Sequence, residues 1–313
     1  MLLGKYHFIC SFKSDAVLPP YKGSTFRGVF GRALKKVVCA LKRAECANCL
    51  LREKCVYALT FETSVIAPMP ENSRLPSLPP PFVIEPPLNT DREFAKGTAF
   101  DFHLLLFGNM NSNLPYFIYA FEQMGKIGIG KKIEGQRAQF TLEEVKTGEH
   151  TIYNSNDRQI TLSNSPETLS LNGPGKYPED SFRLRVSLET PLRIKYHNRL
   201  KADLPFHVLV RAMLRRISSL CVCYGDGEPD LDYKGLVKRA DDIGTDASKL
   251  GWYDWRRYSF RQDKSMLMGG ITGYVDYEGK IGEFMPFIDF CQRAHIGKQT
   301  TFGLGKIKAE LLE

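Results

Sequence analysis

Residues 284–312 read FMPFIDFCQRAHIGKQTTFGLGKIKAELL, and this stretch decides how the chain is read. An apolar helical pattern (284–294) leads into a loop with three glycines (295–306) and then into a short alternating strand (307–312). The loop is not a P-loop. That motif needs G-x-x-x-x-G-K-[ST] followed by a helix whose N-terminus faces the phosphates, whereas Lys306 is followed by Ile307 and the chain ends seven residues later. The same succession occurs earlier as LPYFIYAFEQMG (114–125), a glycine-rich GKIGIGKKIEG and the strand-like QRAQFTLEEV (136–145). Two helix, glycine loop, strand units at corresponding places predict a duplicated fold.

Each half also carries an early strand and an early helix. In the first half these are the strand at 5–12 and the helix FRGVFGRALKKVVCALK from 26, with Ser24 or Thr25 as its cap. In the second they are FRLRVSLETPLRI (182–194) and PFHVLVRAMLRRISSLCVCYG (205–225), with MLMGGITGYVDYEGKIG (266–282) as a central hairpin. The order β-α-β-β-α-β is that of the ferredoxin-like fold, so the fold class expected is α+β with tandem ferredoxin-like domains. The expected boundaries are 1–149 for the first domain, 150–179 for a polar linker and 180–313 for the second domain. Within the first domain, 39–55 is a cysteine-rich insert. The segment 68–88, with eight prolines, is expected to be an extended surface connection.

A chain of 313 residues with 43% hydrophobic and 25% charged residues is that of a globular protein with room for two cores. Its 43 Lys and Arg against 35 Asp and Glu give +8, which favours a polyanionic partner, nucleic acid ahead of membrane. No stretch has the pattern of a signal peptide or a membrane span, and eight cysteines without an export signal read as thiols or metal ligands. The expected compartment is the cytoplasm.

Several stretches together resemble one family. They are STFRGVFGRAL, the cysteine insert followed by YALTFET, PFVIEPP, GIGKKIEGQ, TPLRIKYHNRL, LVRAMLRRISSL, WYDWRRYSFRQ and HIGKQTTFGLG. In order and spacing the chain is similar to the CRISPR-associated endoribonucleases of the RAMP superfamily that process precursor crRNA. The resemblance implies cleavage of CRISPR repeat RNA without a catalytic metal, leaving 2′,3′-cyclic phosphate and 5′-OH ends, with the C-terminal glycine loop near the RNA. A catalytic histidine in or near the first helix is common in this family, but residues 22–43 contain none. The alternative is a non-catalytic RNA-binding RAMP subunit, with other subunits of a CRISPR effector complex as its partners. A cysteine-cluster redox or DNA-binding regulator is a third class, without a helix-turn-helix or flavin motif to support it.

The chemistry asks for a base, an acid and positive charge on the phosphoryl oxygens, and histidine suits either proton-transfer role. Of six histidines, His295 opens the glycine loop and His197 sits among basic residues in KYHNRL. With Lys298 they form the candidate catalytic set. The other reading of His295 is a helix C-terminal cap. His7 and His103 fall on strands, His207 on an apolar helix face and His150 in the polar link, all read as non-catalytic. Candidate RNA contacts are Lys22 and Arg27 on the first helix and Arg257, Tyr258, Arg261 and Lys264 in the aromatic–arginine stretch. Thr300, Thr301 and Lys306 on the loop complete the set. Interleaved rings and guanidiniums stack on bases and neutralise phosphates, while glycines let backbone N–H groups approach them. The loop glycines are equally compatible with a tight return of the last strand. Lys22 and Arg27 are expected to meet His295 and Lys298 at the domain interface.

Cys39, Cys46, Cys49 and Cys55 follow C-x6-C-x2-C-x5-C. A C-x2-C pair grips one ion from a tight turn and two flanking cysteines complete a tetrahedron, so a structural zinc site is expected. A [4Fe–4S] cluster takes the same ligands.

Overall fold

The computed structural model describes residues 1–42, 44–63, 78–161, 166–171, 177, 180–194, 202–259 and 264–312. They fall into two compact units, Met1–Thr168 and Leu169–Glu313.

The first unit runs β1 (Leu2–Phe12), β2 (Ala16–Val17), α1 (Gly23–Val38), α2 (Val56–Phe61), β3 (Phe82–Glu85), β4 (Glu93–Phe94) and β5 (Ala99–Phe107). It continues with α3 (Leu114–Ile127), β6 (Ile129–Ile133), β7 (Gln136–Ala138), β8 (Phe140–Thr147), β9 (His150–Asn154) and β10 (Glu167–Thr168). Its main sheet has the order β3-β5-β1-β8-β9, antiparallel throughout, with β10 also pairing β1. Without the β9 and β10 additions, that is the ferredoxin-like order built on β1-α1-β3-β5-α3-β8. Alternation along β1 buries Tyr6, Phe8, Cys10 and Phe12 on one face. Against it α1 lays Phe26, Val29, Phe30, Ala33 and Leu34, and α3 lays Phe117, Ile118, Phe121 and Met124. Phenylalanine rings fill this core: Phe30 stacks on Phe121 at 4.4 Å, and Phe26 meets Phe102 edge-on at 5.2 Å.

Three expectations change here. The first helix begins at Gly23, with Lys22 at its N-cap and no side-chain cap from Ser24 or Thr25, and it ends at Val38. The described part of the proline segment is not all surface. Between Pro81 and Pro86 the run Phe82–Glu85 is wholly buried as edge strand β3, because four consecutive residues can pair with β5 where prolines cannot. The stretch read as a linker from 150 supplies β9, paired with β8 across a tight turn, and β10.

The second unit runs β11 (Phe182–Leu192), α4 (Phe206–Tyr224), α5 (Tyr233–Arg239), β12 (Gly244–Ser259), β13 (Lys264–Gly279), α6 (Met285–Ala294) and β14 (Ile307–Leu312). The sheet order β12-β13-β11-β14 again places the two outer strands as a ferredoxin-like fold requires, with α5 as an addition. The central hairpin is therefore Gly244–Gly279, longer than the 266–282 expected, and it takes up the aromatic–arginine stretch. Phe206 meets Phe284 edge-on at 5.2 Å in this core. Asp276 on β13 is nearly enclosed and accepts two hydrogen bonds from its register partner Arg185, at 2.7 and 2.8 Å. Those bonds hold its carboxyl below the usual range. No described helix is long and apolar enough to cross a membrane.

Candidate nucleic-acid interface

The glycine loop is built by backbone bonds that spend half of its N–H groups on the fold itself. Ile296 N donates to Gly305 O (2.9 Å), Lys298 N to Arg193 O (2.8 Å), Gly303 N to Thr300 O (2.7 Å) and Gly305 N to Pro191 O (3.1 Å). Lys306 N donates to Thr190 Oγ1 (2.9 Å). Gly305 sits at φ +74, and a Cβ there would overlap the Ile296 carbonyl oxygen. Gly297 sits at φ +80 with a Cβ position 2.8 Å from Arg193 O. Both positions admit only glycine without a shift of backbone. The tight-return reading of these glycines thus accounts for the loop's close approach to β11.

Two non-glycine residues in the loop are also left-handed, His295 (φ 57, ψ 157) and Gln299 (φ 64, ψ 31). The first is a conformation almost confined to glycine, and such outliers cluster at functional sites. His295 is fully buried, with Nδ1 3.0 Å from Leu304 O. Its neighbour Ala294 ends α6 with a carbonyl that accepts from Arg216 Nε and Nη2 at 3.2 and 2.9 Å. Arg216 on α4 is buried, and burial pulls its guanidinium pKa down to about 10. A buried cation at the C-terminus of α6 satisfies the orphan carbonyl and the helix dipole together. His295 occupies the C-cap position of α6, and its ring is enclosed, with Leu304 O of the same loop beside Nδ1.

Lys298 is exposed on the loop, and Thr300 and Thr301 are buried in its short 3-10 turn. Lys306 is half-buried, 3.6 Å from Glu189. On the first helix, Lys22 is enclosed, donates to Asn89 O at 2.5 Å and lies over the Phe94 ring. Burial lowers its pKa, against the influence of Asp91. It braces the chain around α1 and offers no surface to RNA. Arg27 is half-buried with its guanidinium 5.1 Å from the Phe61 ring.

The hairpin supplies a second feature. β13 pairs with β11 only as far as Ile271, so among the described residues Trp252–Ser259 and Lys264–Gly270 continue as a two-stranded arm. On it Tyr253 and Trp255 stack at 5.5 Å, Trp252 Nε1 donates to Asp254 Oδ1 at 2.7 Å, and Arg256 and Leu267 are exposed. Neither tryptophan is a core residue. Backbone pairing sets Arg257 opposite Met266, Tyr258 opposite Ser265 and Ser259 opposite Lys264, around the arm's outer end. Arg261 and His197 lie outside the described residues.

The cysteine insert joins α1 to α2. Cys46–Asn48 forms a 3-10 turn closed by Cys49 N donating to Cys46 O, Cys55 is the N-cap of α2 and Cys39 the C-cap of α1. Lys35 over the Tyr57 ring at 5.3 Å ties the two helix ends together. All four thiols are free and half-buried. Burial pushes the Cys46 thiol up, opposed by Lys35 and aided by Glu62, Cys55 and Cys39. Among the described residues no three His, Cys, Asp or Glu side chains are grouped so as to hold a metal ion. The closed four-thiolate cage expected from the spacing is thus not formed by these side chains as they stand.

Residues 1–165 match a family model for an N-terminal domain, and residues 186–307 match the model described as CRISPR-associated endoribonuclease Cas6. Residues 186–307 thus carry a domain of the CRISPR-associated endoribonuclease Cas6 family. An uncharacterized protein of Archaeoglobus fulgidus is 28% identical over 216 residues, 67% of this chain and 66% of that relative's length. The Cas6 fold covers the whole chain. A Thermus thermophilus Cas6 superposes with a TM-score of 0.55 at 11% identity, covering 99% of this chain and 98% of that one. A Cas6 product complex gives 0.54 at 12% identity, covering 99% of both chains. A partial Cas6-RT-Cas1–Cas2 complex gives 0.57 at 14% identity, covering 99% of this chain and 46% of that one. The sequence signal missed for this interface was the side-chain environment. Nothing in the spacing around Lys22, Arg216 or His295 says that each is enclosed.

Proposed function

We propose that this chain, whose residues 186–307 match the Cas6 model, is an endoribonuclease that cuts CRISPR repeat RNA within precursor crRNA. The reaction proposed is metal-independent transesterification: the ribose 2′-OH attacks the adjacent phosphorus, leaving a 2′,3′-cyclic phosphate and a 5′-OH. The observation that carries an RNA partner is the strained glycine loop bearing exposed Lys298, in a chain of net charge +8. Lys298 supplies charge to a phosphate, and the aromatic–arginine arm with Arg257, Tyr258 and Lys264 engages bases and backbone. The cytoplasm is the compartment proposed for this reaction.

Two observations favour the second reading, a non-catalytic RNA-binding subunit of an effector complex: α1 has no histidine, and His295 is enclosed. Cleavage of a repeat RNA by purified protein with chelator present separates the two. A single cut with a 2′,3′-cyclic end is expected. Tight binding with intact RNA would make the chain a binding subunit.

The insert is proposed to take a structural zinc, or a [4Fe–4S] cluster, on Cys39, Cys46, Cys49 and Cys55. The closed C-x2-C turn supports this, as does the placing of Cys39 and Cys55 at the joined ends of α1 and α2. The metal's part would be to brace the insert. Elemental analysis of protein purified without chelator is expected to find about one zinc per chain. Stripping the metal is expected to lower thermal stability while RNA cleavage persists at temperatures where the chain stays folded. Only trace metal, with a melting curve indifferent to chelator, would leave four plain thiols.

A further inference from the structure

Four neighbouring strands of the first sheet each place one residue on a single cross-strand row. Register sets Glu85 of β3 opposite His103 of β5, His103 opposite His7 of β1, and His7 opposite Lys146 of β8. Directly paired residues share a face of the sheet. Here it is the face away from α1 and α3, since His7 alternates with the core residues Tyr6 and Phe8. The His7 and His103 rings stack with centroids 4.5 Å apart and 12° between planes. Each ring has a carboxylate beside it: His7 Nε2 is 2.8 Å from Asp101 Oδ2, and His103 Nδ1 is 3.8 Å from Glu85 Oε2. Lys146 Nζ lies 3.2 Å from Glu144 Oε2, and Thr151 of β9 donates to Glu144. Lys5, two residues before His7, is exposed. The two histidine side chains are 33% and 30% exposed, so both rings keep solvent-accessible surface, while Glu85 is 7% exposed.

Among the described histidines, only these two stand side by side, each with a carboxylate nearby. His207 is paired 2.8 Å from Asp241, and His295 is enclosed. We propose that His7 and His103 are the acid–base pair for repeat-RNA cleavage, with Lys146 stabilising the phosphoryl oxygens, an assignment that rests on the endoribonuclease reading above. One imidazole, neutral, takes the proton of the 2′-OH as the 2′-oxygen bonds to phosphorus. The other, protonated, gives its proton to the 5′-oxygen as the P–O5′ bond breaks. The row ends with the same number of protons and electrons, its proton moved from one ring to the other. Asp101 holds the His7 ring in orientation, as a carboxylate does behind a catalytic imidazole, Glu85 sets a negative charge beside His103, and Lys146 meets charge developing on the phosphorane.

The test uses the full chain, a CRISPR repeat RNA and single-turnover cleavage with chelator present. His7→Gln and His103→Gln are each expected to slow cleavage by about 10²–10⁴-fold, with repeat-RNA Kd changed by no more than about threefold. The wild-type rate is expected to trace a bell against pH, and each variant to lose one limb of it. Asp101→Asn, which keeps size and hydrogen bonding, is expected to slow cleavage less than either. Variants that cut at the wild-type rate would overturn the assignment and leave the endoribonuclease reading intact. Variants that lose binding and cleavage together would make the row a docking or folding element, which also overturns it. A wild-type chain that binds repeat RNA without cutting it would remove the endoribonuclease reading itself, and this assignment with it.

Discussion

Gly305→Ala is expected to destabilise the second unit by about 3 kcal/mol and to weaken repeat-RNA binding at least ~10-fold. The residue lies at φ +74, where an L side chain costs roughly 1–2 kcal/mol by itself. The added methyl would overlap the Ile296 carbonyl oxygen and lie 2.9 Å from the carbonyl carbon, so backbone must move. The movement falls on the Ile296 N to Gly305 O bond, which closes the loop at its base, and on the Gly305 N bond to Pro191 O. It passes directly to His295 and Lys298 on the same loop. Hydrogen exchange resolved along the chain reads the effect. Amides of α6 and β14 should lose protection while those of the first unit keep it. A variant with protection and RNA affinity both at wild-type values would show that the loop yields without consequence and that RNA does not depend on its shape.

The second large effect lies in the first unit. Phe30→Ala is expected to cost about 3–5 kcal/mol there, the range for removing a buried phenyl ring. Phe30 is fully buried, stacks on Phe121 at 4.4 Å, and lies within 6 Å of Phe117, Phe61 and Phe82. It therefore links α1, α2, α3 and β3, and a cavity among rings held on four elements collapses poorly. Urea unfolding followed by exchange of first-unit amides measures the loss. A cost below about 1 kcal/mol would mean that the neighbouring rings refill the site and that the aromatic cluster is not tightly interlocked. Because β1 and β5 pack on this core, the same variant should also loosen the His7–His103 row, and its cleavage rate should fall with its protection.

Much of the architecture was legible in the chain before folding. The repeated helix, glycine loop and strand at 114–145 and 284–312 follows from local physics: periods of 3.6 and 2, proline at the first turn, and glycine where φ must be positive. Those signals act over a few residues, so β14 begins and ends where the alternation of 307–312 does. The two-domain ferredoxin-like order follows from the same elements in sequence. The tertiary structure decided which polar groups face water and which meet. Lys22, Arg216 and His295 look like surface groups on a helix start, a helix face and a loop, yet all three are buried, Lys22 and Arg216 against residues distant in sequence and His295 with a partner in its own loop. Burial is a property of the packed neighbours and leaves no mark on spacing. The same is true of the row Glu85, His103, His7 and Lys146. Those residues lie on four separate strands, and only sheet register places them side by side, since a slip of one residue would turn each to the opposite face.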